Sequence, residues 1–72
     1  MDFAPHQQRV IDELRELTEK VVKLGAFFGT TTFLGLPDAE KVRLRAQAAF
    51  MAGYQDMLRL RIEAFTVASK PQ

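Results

Sequence analysis

Apolar residues recur along the first part of the chain at alternating steps of four and three: Val10, Leu14, Leu17, Val21, Leu24 and Phe28. That spacing lines one face of an α-helix, and Phe3, seven residues before Val10, extends it. A weaker second row, Ile11, Thr18, Val22 and Gly25, makes the face wider than a pairwise seam needs. Pro5 suits a first helical turn, where its missing N–H costs nothing. Asp12, Glu13 and Glu16 precede Lys20 and Lys23, the order favoured by the helix dipole. Glu16–Lys20 and Glu19–Lys23 have the orientation of i,i+4 ion pairs. The pattern predicts a helix over residues 5–28.

Residues 29–36 break it. Gly29 is a candidate C-cap, and Thr30, Thr31 and Thr32 are β-branched residues that disfavour continued helix. The segment reads as a loop, and Phe33, Leu34 and Leu36 predict that it packs against the helices. Pro37, with Asp38 and Glu40 behind it, then opens a second helix over residues 37–67, about 45 Å long at 1.5 Å per residue. Its main stripe is Leu44, Ala48, Met51, Leu58, Ile62 and Phe65, interrupted by Gln55. Beside it Gln47, Tyr54 and Arg61 form a row stepping by seven. Gly53 weakens the middle by about 1 kcal/mol against alanine and marks a close crossing or a bend. Residues 68–72 read as a frayed tail.

The expected fold is all-α, an antiparallel hairpin of two long helices. Both helices carry more than one apolar row, and residues 46–52 are apolar around most of the circumference. A lone hairpin would expose that surface, so a homo-oligomeric bundle is expected, with the middle of the second helix at its interface.

Composition narrows the function. With 72 residues the chain holds one domain, 1–72. It has no cysteine, hence neither a disulfide nor a thiolate metal site. No apolar run reaches the roughly 18–20 residues that span a membrane, so a cytoplasmic protein is expected. A single histidine, His6, leaves no specific nucleophile set, no metal-ligand spacing occurs, and no cofactor is implied. The expectation is a protein that is not an enzyme.

A net charge of +1 hides an uneven distribution. Residues 41–61 carry Lys41, Arg43, Arg45, Arg59 and Arg61 against Asp56 alone, whereas residues 5–28 balance four basic against four acidic side chains. In an antiparallel hairpin the charges gather at two ends. Lys23, Arg43 and Arg45 approach the threonine turn with Thr30, and Arg9 approaches Arg59 and Arg61. Arginine forks, threonine hydroxyls and backbone N–H groups are phosphate-binding ingredients. The same arginines would also serve as a solvated face paired with Glu13, Glu16 or Glu19. The Gln47, Tyr54, Arg61 row fits a polar flank of an interface, or a pocket between protomers where Tyr54 stacks on a flat ring and Arg61 grips charge.

His6-Gln7-Gln8-Arg9-Val10, Lys23-Leu24 with Phe27, Leu36-Pro37 with Glu40, Leu44-Arg45 with Gln47, then Met51, Tyr54, Leu58 and Arg61-Ile62 with Phe65 occur in that order. In order and spacing the chain resembles, over residues 5–66, a group of short tailed-phage proteins related to a small protein first noted in crAss-like phages. It departs from them in the basic and apolar Leu58-Arg59-Leu60-Arg61 and in the turn at Thr30 to Thr32. That resemblance implies phage origin. In size, hairpin, expected oligomer and basic clusters the chain is also similar in kind to phage sponges that sequester cyclic nucleotide signals of CBASS or Thoeris immunity, an analogy only. The analogy implies a cyclic (oligo)nucleotide ligand, with Arg61, Tyr54 and Arg9 at one site and Lys23, Thr30 and Arg45 at the other, Gln47 beside them. The competing expectation is a helical adaptor or inhibitor docking its apolar face on a host or phage protein. The net charge and the lack of helix-turn-helix spacing argue against nucleic-acid binding.

Overall fold

A helix needs partners for its first N–H groups, and here Gln7 supplies one. Its side-chain oxygen accepts from the Ala4 backbone N–H at 2.9 Å, and Pro5 occupies the first turn. The computed structural model describes residues 3–68. α1 spans Pro5–Phe27, α2 Thr31–Leu34 and α3 Asp38–Ala68. The tail expected at 68–72 lies, beyond the backbone of Ala68, outside the described residues.

The expected loop at 29–36 is corrected by α2, a single helical turn. Thr30 causes it. Its hydroxyl donates to the Phe27 carbonyl at 2.7 Å, closing α1, and accepts from the Phe33 N–H at 3.2 Å, opening α2. A threonine that disfavours the interior of a helix is a good N-cap. The turn drives Phe33 inward to 1% exposure, edge-on to Phe27 and Phe28 with centroids 5.8 and 4.9 Å away. α3 then begins on the Pro37 carbonyl, which accepts from Glu40 and Lys41.

α1 and α3 pack along their length as an antiparallel hairpin, a rod of 54 × 17 × 16 Å. The two predicted stripes meet. Val10, Leu17 and Leu58 are buried, with Leu14, Val21, Met51, Ile62 and Phe65 packed around them. Phe3 does extend the first stripe, edge-on to Phe65 at 5.6 Å. Gln55, the interruption in the second stripe, is buried, and its side-chain NH₂ donates to the Thr18 hydroxyl at 3.1 Å. A buried amide without that partner would cost about 1–3 kcal/mol, so the pair favours one register of α1 on α3.

The expected ion pairs are corrected. Neither Glu16–Lys20 nor Glu19–Lys23 forms; the pairs present among the described residues are Asp12–Arg15, Asp38–Lys41, Glu40–Arg43 and Asp56–Arg59, all three residues apart. Such largely exposed pairs contribute about 0–1 kcal/mol each.

α3 carries a second apolar row that α1 does not cover. Ala46, Phe50, Gly53, Met57, Leu60, Ala64 and Val67 repeat the four-three spacing, roughly 200° around the helix from the buried stripe. Phe50 is 78% exposed, and Val42, Met57, Leu60 and Val67 are each more than half exposed.

Candidate functional site

Residues seven apart on a helix stand above one another, whereas residues two apart lie about 200° around it. That geometry sorts the basic residues of α3. Arg43 and Arg45 leave the helix on opposite flanks, as do Arg59 and Arg61. Sequence neighbours therefore do not act together, but Arg43, Phe50 and the row Gln47, Tyr54, Arg61 share one flank.

There α3 forms a groove of about 480 Å³ lined by Arg43, Ala46, Gln47, Phe50, Met51 and Tyr54. Its floor is Phe50, Met51 and Ala46; its polar groups are the Arg43 guanidinium, the Gln47 amide and the Tyr54 ring. Arg43 is held at its rim by Glu40 at 3.1 Å. The Gln47 NH₂ rests on the Met51 sulfur at 3.9 Å. The Tyr54 hydroxyl donates to the Glu13 carboxylate of α1, which fixes the ring as a wall. That hydrogen bond is the main cause of a Tyr54 pKa above its ordinary 10.0; desolvation and the Glu13 charge push the same way, and Arg61 opposes them.

The other sequence-predicted residues divide. Arg61 lies close enough to act on the Tyr54 hydroxyl and makes no ion pair among the described residues. Arg9 is exposed on α1, one turn before Glu13 and on the same face, so it borders the side that carries Tyr54 and Arg61. Thr30 spends its hydroxyl on capping. Arg45 lies over the Phe33 ring, 5.3 Å from its centroid. Lys23 is exposed on α1. The structure thus gathers Gln47 and Tyr54 with Arg61 beside them, and sets Thr30 and Arg45 to work on α2. Arg43 and Phe50 are the members that the sequence reading left out of the site. The signal for them was the seven-residue step from Arg43 to Phe50, four residues, or about one helical turn, before each position of the chosen row.

Cationic forks, an amide and aromatic faces are the groups that hold a flat, anionic molecule. No group of three or more metal-ligating side chains occurs among the described residues, and no described helix is long and apolar enough to cross a membrane. Fold and groove define a small all-helical hairpin with an arginine-edged, aromatic groove on its second long helix. Comparison of the sequence with family models makes this specific: the chain belongs to the Sequestin family, whose model matches residues 4–64. No curated protein and no solved structure matches it.

Proposed function

We propose that the chain is a phage anti-defence protein that sequesters cyclic (oligo)nucleotide immune signals, of the CBASS or Thoeris kind, without turning them over. On this reading it works in the host bacterial cytoplasm as a homo-oligomer, with the ligand in pockets between protomers. The observation that carries the proposal is the groove on α3, lined by Arg43 and Gln47, whose N–H groups suit phosphate and sugar oxygens, and by Phe50 and Tyr54, whose rings suit stacking. Membership of a family named for sequestration supports it. The 78% exposure of Phe50 supports a site that another copy completes, since an aromatic ring left in water is costly.

The test is thermal shift against cyclic mono-, di- and trinucleotides, with linear nucleotides of matching bases and phosphates as the competing class. A ligand at 100 times its Kd adds about 2.7 kcal/mol to stability, which in a chain of this size raises Tm by roughly 10–20 °C. The ligand recovered after heating should be chemically unchanged. No shift with any cyclic member, or recovery of a cleaved product, contradicts the proposal. A second reading, docking on a host protein, is favoured by the exposed row on α3; it predicts a stoichiometric protein partner and no nucleotide response.

A further inference from the structure

We infer that two copies of the chain pair antiparallel through the outer face of α3, crossing at Gly53, and that this brings the partner's Arg61 against Arg43 to complete the groove. The inference rests on the sequestering reading for its ligand but not for its geometry.

Three observations carry it. Val42, Phe50, Met57, Leu60 and Val67, all more than half exposed, with the adjoining Tyr54 ring, leave on the order of 600 Å² of apolar and aromatic side chain uncovered. That is as large as the patches monomers show and most of the roughly 800 Å² each partner buries in a standard interface. Next, Gly53 sits at the middle of the row and a methyl group built on it would meet nothing within 4 Å. The hairpin itself gives no reason for a glycine there. A second helix crossing at that point does, because small residues let two helix axes approach to the close end of the usual 8–10 Å. Around a crossing at Gly53 the row is also complementary in size when the second helix runs antiparallel. Leu60 falls opposite the partner's Ala46 and Ala64 opposite the partner's Val42, while Phe50 falls beside the partner's Met57, one turn from the space left by the partner's Gly53. A parallel pair would set Phe50 on the partner's Phe50 and Met57 on the partner's Met57.

Charge complementarity gives the third argument. A two-fold axis between antiparallel helices keeps each flank facing the same flank of the other copy. On one flank Arg45, which has no carboxylate partner among the described residues, comes within reach of the partner's Glu63. On the other, Arg43 lies ten residues before Gly53 and Arg61 eight after it, so Arg43 and the partner's Arg61 differ by only about 3 Å along the axis. Two guanidinium groups then face one space, floored by Phe50 and walled by Gln47 and Tyr54. Glu40 on Arg43 and Glu13 on Tyr54 border that space, so an anion enters it by displacing Glu40 from Arg43, with one arginine from each copy on it and two such sites per pair.

The experiment uses the full chain, which has no native cysteine, and no nucleotide. Arg43→Cys and Arg61→Cys variants, both at exposed positions, are oxidised separately and as an equal mixture, with the mass of the unmodified protein measured alongside. The expected result is a dimeric mass or a multiple of it, and a disulfide that forms chiefly between the two different variants. Each variant alone should stay largely uncrosslinked, because position 43 and its copy lie about 30 Å apart along the axis. Crosslinking of each variant with itself in preference to the mixture, or a monomeric mass at micromolar concentration, overturns the inference. Failure here leaves the nucleotide panel to judge sequestration, and a silent panel leaves this pairing standing.

Discussion

Tyr54 on α3 and Glu13 on α1 are joined by a hydrogen bond across the hairpin, with the phenol as donor and the carboxylate as acceptor. One bond links two functions of the fold. It ties the helices together on the groove side, and it holds an aromatic ring upright at the end of the groove that Arg43 opens.

That bond has a pH signature. Tyr54 is the only tyrosine of the chain, so phenolate absorbance reports it alone. Its pKa is raised above 10.0, first by the hydrogen bond to Glu13. The folded state therefore favours the protonated phenol: the stabilisation is complete below the ordinary pKa and is lost as pH rises through the higher folded value. Titration should place the midpoint above that of the unfolded chain, and Glu13→Gln should lower it. An unchanged midpoint in Glu13→Gln would contradict the assignment.

The Gln55–Thr18 bond predicts a second outcome. Thr18→Val leaves a buried amide donor without its partner and should cost about 1–3 kcal/mol, read as a lower midpoint in urea. Adding Gln55→Leu to Thr18→Val should recover much of that loss, because neither polar group then remains.

Thr30 predicts a third. Thr30→Ala removes both side-chain hydrogen bonds at the α1–α2 junction and should cost about 1 kcal/mol, whereas Thr30→Ser should stay near the parent. Equal losses in the two variants would mean that packing of the Thr30 methyl, and not the hydroxyl, closes α1 onto α2.

These residues show how far the sequence was legible. The four-three stripes from Val10 to Phe28 and from Leu44 to Phe65 gave the two helices and their contact, because apolar periodicity and burial have the same cause. The packing of Phe33 was legible from an apolar connection. Thr30 was misread, since β-branching speaks against a helix interior but its hydroxyl favours a helix start. Gln55 looked like a gap in a stripe, and only the position of Thr18 opposite it shows a clasp. Arg43 was grouped with Arg45 because they are neighbours in the chain; a helix sends them to opposite flanks. The side-chain contacts of Tyr54 depend on which residue of α1 faces it, and the sequence alone does not state that register.

The groove predicts a mutational pattern in binding. For any nucleotide that raises Tm in the panel, Arg43→Ala and Arg61→Ala should each weaken affinity by roughly 10- to 100-fold, the scale of a lost charge-assisted hydrogen bond. Mixing the two inactive variants should restore about a quarter of the sites, since half of randomly formed pairs are mixed and each keeps one intact site. Arg45→Ala should act on stability instead, through the lost contact with Phe33, by about 0.5–1 kcal/mol.

Native mass spectrometry of the full chain with the cyclic nucleotide panel tests the central claim most directly, because it reads assembly and ligand together. The account predicts an even-numbered assembly that carries intact cyclic nucleotide, up to two per pair of chains, and no ligand on any monomer. A monomer that binds nucleotide by itself, or an assembly that takes up no member of the panel, would contradict it.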